Sequence, residues 1–163
     1  MIIKINLKKR RRQSGFTLIE LIVVMAILAL LAALGLRSFR SSQIKGRDAQ
    51  RKHDLSQLQR ALEFYYNDNG AYPETDEFPG PDAEWRDPDS GTLYIKSIPS
   101  DPAAYSYEYI SDSTSYKILA YLENQNDREI QACIVSLGIF CGSRTCNYGV
   151  SSANLRVCES PYP

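Results

Sequence analysis

Residues 15–36 read GFTLIELIVVMAILALLAALGL, an almost uninterrupted apolar run that contains one acid, Glu20. As an α-helix, the stretch from Phe16 to Leu36 extends about 30 Å, which is the thickness of the hydrocarbon core of a bilayer. A carboxylate at the centre of such a helix costs roughly 2.5–3.5 kcal/mol. The run therefore predicts a membrane-spanning helix in which Glu20 has a function.

A basic leader precedes the apolar run. Residues 1–15 contain six Lys and Arg residues and no acid, and this positive charge predicts a cytoplasmic N-terminus with everything after Arg37 outside. An ordinary secretory signal is cleaved after its apolar run, which is then lost. Here the small residue, Gly15, comes before the run. Cleavage between Gly15 and Phe16 would therefore remove only the leader and leave the helix on the mature protein.

The stretch GFTLIELIVVMAIL closely resembles the class III leader and helix start of type IV pilins and type II secretion pseudopilins. The resemblance implies that a prepilin peptidase cleaves after Gly15 and methylates the new N-terminus at Phe16. It also implies that Glu20 acts in assembly, paired with the terminal amine of a neighbouring subunit, since buried opposite charges relieve each other's desolvation. In the alternative, Glu20 reaches the cytoplasmic interface and has no role.

The helix is predicted to continue beyond the membrane to Asn69. The segment from Ser38 to Asn69 contains no proline, and Asn69-Gly70 is typical of a helix C-terminus. Apolar residues at spacings of three and four form one stripe: Ile44, Leu55, Leu58, Leu62 and Tyr65. The other face is predicted to carry Arg47, Arg51, Lys52, Arg60 and Glu63. The segment RDAQRKHDLSQLQRALEFYYNDNGAYP extends the family resemblance to about residue 73, because it is similar to the same part of major pseudopilins and small pilins.

The rest of the chain predicts a small β-rich head. Residues 73–91 read as a loop rich in proline, glycine and acid, and strands are predicted around residues 105–109, 116–122 and 129–137. The expected fold is α+β, a long N-terminal helix with a membrane half and an amphipathic half, packed on a small antiparallel sheet. Four segments follow: a cleaved leader (1–15), a transmembrane and assembly helix (16–36), its amphipathic continuation (37–69) and an extracytoplasmic globular head (70–163).

The four cysteines, Cys133, Cys141, Cys146 and Cys158, all lie in the last 31 residues of the chain. Outside the cytoplasm they are expected to form disulfides, and three pairings are possible. We favour Cys133–Cys158 enclosing Cys141–Cys146, because this pairing fastens the polar C-terminal loop to the last strand. Zinc is not expected, since the sequence contains no C-x-x-C pair and its one histidine, His53, is far upstream.

Seven acids between Glu74 and Asp89 raise the hypothesis of a calcium site, because calcium prefers hard oxygen ligands. The resemblance implies the same, since major pseudopilins are known for calcium in their heads. The spacing matches no calcium-binding loop, however, and solvated acidic loops are common. No cofactor is therefore expected, with calcium as the alternative.

Charge and motifs exclude several functions. The chain has 19 basic and 19 acidic residues, and without its leader it is acidic, so nucleic-acid binding is not expected. Catalytic motifs are lacking, and the protein is expected to be the substrate of a peptidase rather than an enzyme. Our first hypothesis is a pilin of a type IV pilus-like filament, a single-pass protein of the cytoplasmic membrane that reaches the cell surface. It would contact itself, prepilin peptidase and the inner-membrane pilus or secretion machinery. The alternatives are a type II secretion pseudopilin and a signal-anchored protein whose acidic head binds a partner.

Overall fold

The computed structural model describes residues 15–88 and 90–159, together with the backbone but not the side chains of residues 34–37. The basic leader up to Ser14 and the acid Asp89 lie outside the described residues. The chain divides into two compact units, Met1–Arg40 and Ser41–Pro163.

A single long helix, α1, runs over Leu18–Asn69 and has 52 residues. Its first part is long and apolar enough to cross a membrane. The helix ends at Gly70, whose φ of 72° lies in the left-handed region that glycine adopts without strain. The Gly70 N–H donates to the carbonyl oxygen of Tyr66 at 2.8 Å. The predicted long N-terminal helix is therefore confirmed.

The head contains short strands and one short helix. In chain order they are β1 (Trp85–Arg86), β2 (Leu93–Ile95), β3 (Glu108–Ser111), β4 (Tyr116–Ala120), α2 (Ala132–Ser136), β5 (Phe140–Cys141), β6 (Arg144–Thr145) and β7 (Tyr148–Ser151). In the described part of the chain they form three antiparallel sheets: β1–β2, β3–β4–β7 and β5–β6. The predicted α+β fold is confirmed.

The central strand, β4, is buried on both faces. Successive side chains of a strand point to opposite faces, so Tyr116, Ile118 and Ala120 pack in one core cluster and Leu119 in another. The larger cluster receives the apolar stripe of α1, in which Leu55, Leu58, Ala61 and Leu62 are buried. Each buried leucine contributes roughly 1.5–3 kcal/mol. The second half of the helix is therefore part of the head's core.

Two sequence predictions for the head are wrong. Residues 129–137 do not form a strand, because Ala132–Ser136 is the helix α2, which buries Ile134 and leaves Val135 exposed. Such a short apolar run fits helix and strand equally well by periodicity. The third strand of the central sheet is instead β7, whose Gly149 weakens the strand signal. The loop 73–91 also contains β1.

Candidate processing and assembly site

The predicted cleavage site lies directly before α1. Gly15, Phe16 and Thr17 precede the helix and are exposed, with Phe16 at 88% of its full accessibility. An exposed peptide outside a helix can enter a peptidase without local unfolding. The Gly15–Phe16 bond has the accessibility that the predicted processing requires, and the processing itself stays a prediction.

Glu20 is held by Thr17 in the first turn of α1. The Thr17 backbone N–H and the Thr17 hydroxyl donate to Oε2 of Glu20 at 2.8 and 2.7 Å, and the Glu20 N–H lies 3.3 Å from Oγ1 of Thr17. This reciprocal arrangement is a capping box, with Thr17 at the N-cap and Glu20 at the third helical position. The sequence T-x-x-E is its signature, so Thr17 is a site residue that sequence reasoning missed although its signal was present.

The apolar half of α1 has no cover within the described part of the chain. The large side chains from Phe16 to Leu31 are exposed, and the most apolar window of the helix has no buried share. A continuous apolar surface of this length marks contact with a membrane or with other protein. These observations fit a membrane-anchored protein.

Both disulfides lie in the C-terminal part of the head. Cys133 pairs with Cys158 at a Cα–Cα distance of 5.6 Å, and Cys141 pairs with Cys146 at 5.2 Å. This is the nested pairing favoured above. Cys141 and Cys146 are buried in the second core cluster, while Cys158 is exposed. The outer disulfide therefore fastens the C-terminal loop, which is also held by Lys117, whose Nζ donates to the Glu159 carbonyl oxygen.

Arg51, which the sequence places on the face of α1 opposite the apolar stripe, is buried. Its side chain is 0% exposed and forms ion pairs with Asp48, Asp101 and Glu123. Burial by itself would lower the pKa of Arg51, but the hydrogen bonds to these carboxylates outweigh it and raise the pKa above its usual value. Hydrogen bonds from Arg47, assisted by Arg51, lower the pKa of Glu123 to about 2. Arg51 is therefore a buried cation that joins α1 to two loops of the head.

Lys52 also ties α1 to the head. Its Nζ lies 2.9 Å from Oδ1 of Asp127 and 3.1 Å from Oε1 of Glu129. The hydrogen bond from Lys52 lowers the pKa of Asp127. Periodicity could not reveal the role of Arg47, Arg51 or Lys52, since their partners in the head lie at least 50 residues away along the chain.

Two family models match the chain. The prokaryotic N-terminal methylation motif matches residues 10–36, the stretch that contains Gly15, Phe16 and Glu20. The model of type II secretion system protein G matches residues 39–129, which comprise the second half of α1 and most of the head up to Glu129. Together the two models cover residues 10–129 apart from positions 37 and 38.

Several curated proteins named type II secretion system core protein G are similar to this chain. The protein of Vibrio cholerae is 36% identical over 112 residues, covering 64% of this chain and 75% of the relative. That of Pseudomonas aeruginosa is 36% identical over 114 residues, 65% of this chain and 79% of the relative. That of Aeromonas hydrophila is 36% identical over 120 residues, 68% of this chain and 81% of the relative. No solved structure matches the chain.

Proposed function

The chain belongs to the type II secretion system protein G family, and we propose that it is a pseudopilin, a structural subunit of the filament of a type II secretion system. In this proposal prepilin peptidase cleaves between Gly15 and Phe16 and methylates Phe16. The mature protein stays in the cytoplasmic membrane until it polymerises through α1. It serves as a building block and performs no catalysis of its own.

The observation that carries the proposal is the exposed apolar half of α1 with a single acid in its first turn. In the membrane this surface is covered by lipid, and in a filament it is covered by the same helix of other copies. Glu20 bears the only side-chain carboxylate of residues 1–47, so it is the one side chain there that can form an ion pair with the cationic N-terminus of a neighbour. Its bonds to Thr17 hold the carboxylate beside the start of the helix, where that partner would arrive.

The protein G match supports the pseudopilin over the pilin that was our first hypothesis from sequence. The disulfide-fastened tail does not separate the two hypotheses, because it stabilises an exposed loop in either kind of filament. The second half of α1 and the following Tyr72-Pro73, which resemble major pseudopilins, lie inside the region that matches protein G. The signal-anchored alternative receives no comparable support, because it leaves Glu20 without a task.

Intact mass tests the processing step. The membrane-extracted protein is measured after expression with and without prepilin peptidase. Loss of Met1–Gly15 together with the gain of one methyl group, only when the peptidase is present, is the expected result. A full-length, unmethylated chain beside an active peptidase would contradict the proposal and leave the signal-anchored alternative.

A charge variant tests assembly. Glu20→Gln keeps the shape of the side chain and removes its charge, so it should remain in the membrane and yield no filaments when the secretion machinery is overexpressed. Asp76→Asn, which removes an exposed carboxylate from the head, is the matched control and should assemble normally. Filaments are collected by shearing and quantified by immunoblot. Normal filament yield from Glu20→Gln would refute the assembly role.

Secretion separates the two filament types. We expect the chain to restore export of a reporter exoprotein in a host that lacks protein G. The other type II secretion components in this host must come from the same organism as the chain. Surface pili with no restored export would instead favour the pilin.

A further inference from the structure

Two groups of carboxylates among the described residues of the head each surround a side-chain cation. The Arg51 cluster consists of Arg51, Asp48, Asp101 and Glu123. The Lys52 cluster consists of Lys52, Asp127 and Glu129. Both cations come from adjacent positions of α1, and their acidic partners, apart from Asp48, come from the loops of the head.

In the Arg51 cluster the carboxylate oxygens are already occupied. Arg51 binds Asp101 with two hydrogen bonds of 2.6 and 3.0 Å, and its Nη1 lies 2.7 Å from Asp48 and 2.8 Å from Glu123. The Asp48 carboxylate also accepts the backbone N–H groups of Glu123 and Asn124 at 2.9 and 2.8 Å. The guanidinium fork matches this geometry, since it presents five donors in a plane.

The Lys52 cluster is smaller and closes the neighbouring loop. Besides Lys52, Oδ1 of Asp127 accepts the backbone N–H of Glu129 at 3.0 Å. The ammonium group also lies 5.7 Å from the centre of the Tyr148 ring, a cation–π distance. The loop between β4 and α2 is thus fastened to the helix at both clusters.

These donor sets do not fit calcium, which the family resemblance led us to consider. Calcium requires six to eight oxygens at about 2.3–2.6 Å, whereas the centre of each cluster is taken by a nitrogen cation of the protein. In the acidic loop 73–91, Asp82 accepts the Ser100 hydroxyl, Glu84 binds Arg86, and Asp87 accepts the N–H of Ser90. The Tyr94 hydroxyl lies within hydrogen-bond distance of both Asp87 and Asp68. Within residues 15–88 and 90–159 no three acidic, His or Cys side chains are grouped to hold a metal ion.

We propose that Arg51 and Lys52 hold the loops of the head against α1 in place of a structural calcium ion, so that the folded head does not depend on calcium. The loops carry acidic side chains whose charge must be neutralised. The side chains of Arg51 and Lys52 on α1 provide the positive charge. A protein built in this way keeps its fold when calcium is scarce.

Thermal unfolding of the full chain in detergent micelles tests this proposal. The melting temperature is measured in millimolar calcium chloride and in excess EDTA at the same ionic strength. A structural calcium ion at 100 times its Kd would raise the melting temperature by about 5–10 °C. We expect the two values to coincide, and a melting temperature several degrees lower in EDTA would overturn the proposal.

Three variants test whether the positive charge of Lys52 takes the place of a metal ion. Lys52→Met keeps the aliphatic stem but removes the charge, so its melting temperature in EDTA should fall by several degrees. Lys52→Arg keeps a cation and should stay near the wild type, as should Lys45→Met, which removes an exposed lysine of the same helix. If Lys52→Met melts like the wild type, the role given to Lys52 is wrong. If Lys52→Met does not fold, the melting temperatures of Lys52→Arg and the wild type still test the proposal. A head that depends on calcium would lose stability in EDTA in both of these proteins.

Discussion

Gly149 occupies a position in β7 where no larger residue fits. A Cβ at this position would lie 2.6 Å from Cδ2 of Leu119 and 2.9 Å from the carbonyl oxygen of Ile118. Both neighbours belong to the buried central strand, which has little room to move. At the scale of the single residue, the absence of a side chain allows β7 to pair closely with β4.

Gly149→Ala should therefore lower the free energy of unfolding by about 1–3 kcal/mol, the usual cost of overpacking a core. The control is Gly80→Ala, because a Cβ at Gly80 would meet no atom within 4 Å. The control should change stability by less than about 0.5 kcal/mol. Chemical denaturation monitored by the single tryptophan, Trp85, measures both variants. Equal effects of the two substitutions would contradict the close approach at Gly149.

The lowered pKa of Glu123 predicts that the folded protein loses stability in acid. Its pKa falls from an ordinary value of 4.5 to about 2 through hydrogen bonds from Arg47 and Arg51. Because the folded state holds the proton more weakly than the unfolded state, the ion pairs stabilise the fold fully above about pH 4.5. This contribution, at most about 3 kcal/mol, is lost as the pH falls towards 2.

The comparison of wild type with Glu123→Gln measures this contribution. At neutral pH the variant should melt at a lower temperature, and the difference should shrink steadily between pH 5 and about pH 2. Calorimetry across this range provides both curves. A difference that stays constant down to the lowest pH would mean that the carboxylate's charge is not what stabilises the head.

At the scale of elements, the C-terminal loop depends on covalent and polar fastening rather than on a core of its own. The Cys133–Cys158 disulfide joins residues 25 apart, and Lys117 reaches the loop from β4. Closing a loop of this length is worth about 3.5 kcal/mol in chain entropy. The inner disulfide closes only a short hairpin, and its sulfurs are part of the second core cluster.

Removing the outer disulfide should expose the loop to proteases while α1 and the central sheet stay folded. The double variant Cys133→Ser/Cys158→Ser is expected to be cleaved by trypsin after Arg156, an exposed residue of the loop, several times faster than the wild type. Mass spectrometry identifies the cleavage site, and circular dichroism checks that helix content is unchanged. Cleavage at the wild-type rate would show that Lys117 and local contacts alone hold the loop.

Elements with a strong local signal could be predicted from the sequence. The apolar run, the stripe from Leu55 to Leu62 and the cap at Gly70 defined α1, and the apolar alternation of β4 defined the sheet's centre. Among the elements that were missed, β7 depends on a distant contact, because Leu119 fills the space beside Gly149 and leaves no room for a side chain there. α2 is only five residues long, too short for its periodicity to separate a helix from a strand. Arg51 reads as a surface residue until Asp101, 50 residues away, is placed beside it.

At the scale of the whole molecule, both core clusters belong to one of the two units of the chain. Every residue of both core clusters lies between Leu55 and Val157, inside the unit Ser41–Pro163. None of the described side chains of α1 before Leu55 belongs to either cluster. The head should therefore fold without the membrane segment.

A fragment of residues 41–163 should be soluble without detergent and unfold cooperatively within a few degrees of the full chain in micelles. The full chain should aggregate when the detergent is removed, because its apolar helix half is then exposed to water. Size-exclusion chromatography and thermal unfolding measure both properties. An aggregated or non-cooperative fragment would mean that the apolar half of α1 stabilises the head.

The packing of α1 into the head has a mechanical consequence. The second half of this helix is part of the core of the head, so a pull on this half acts directly on its contacts with the sheet and the loops. The contacts that resist this pull, the leucine stripe and the ion pairs of Arg51 and Lys52, are distributed along the helix and share the load in shear. Contacts loaded in parallel must yield together, whereas contacts loaded in series can open one at a time. A head built in this way stays intact when the second half of α1 is pulled, until many contacts yield at once.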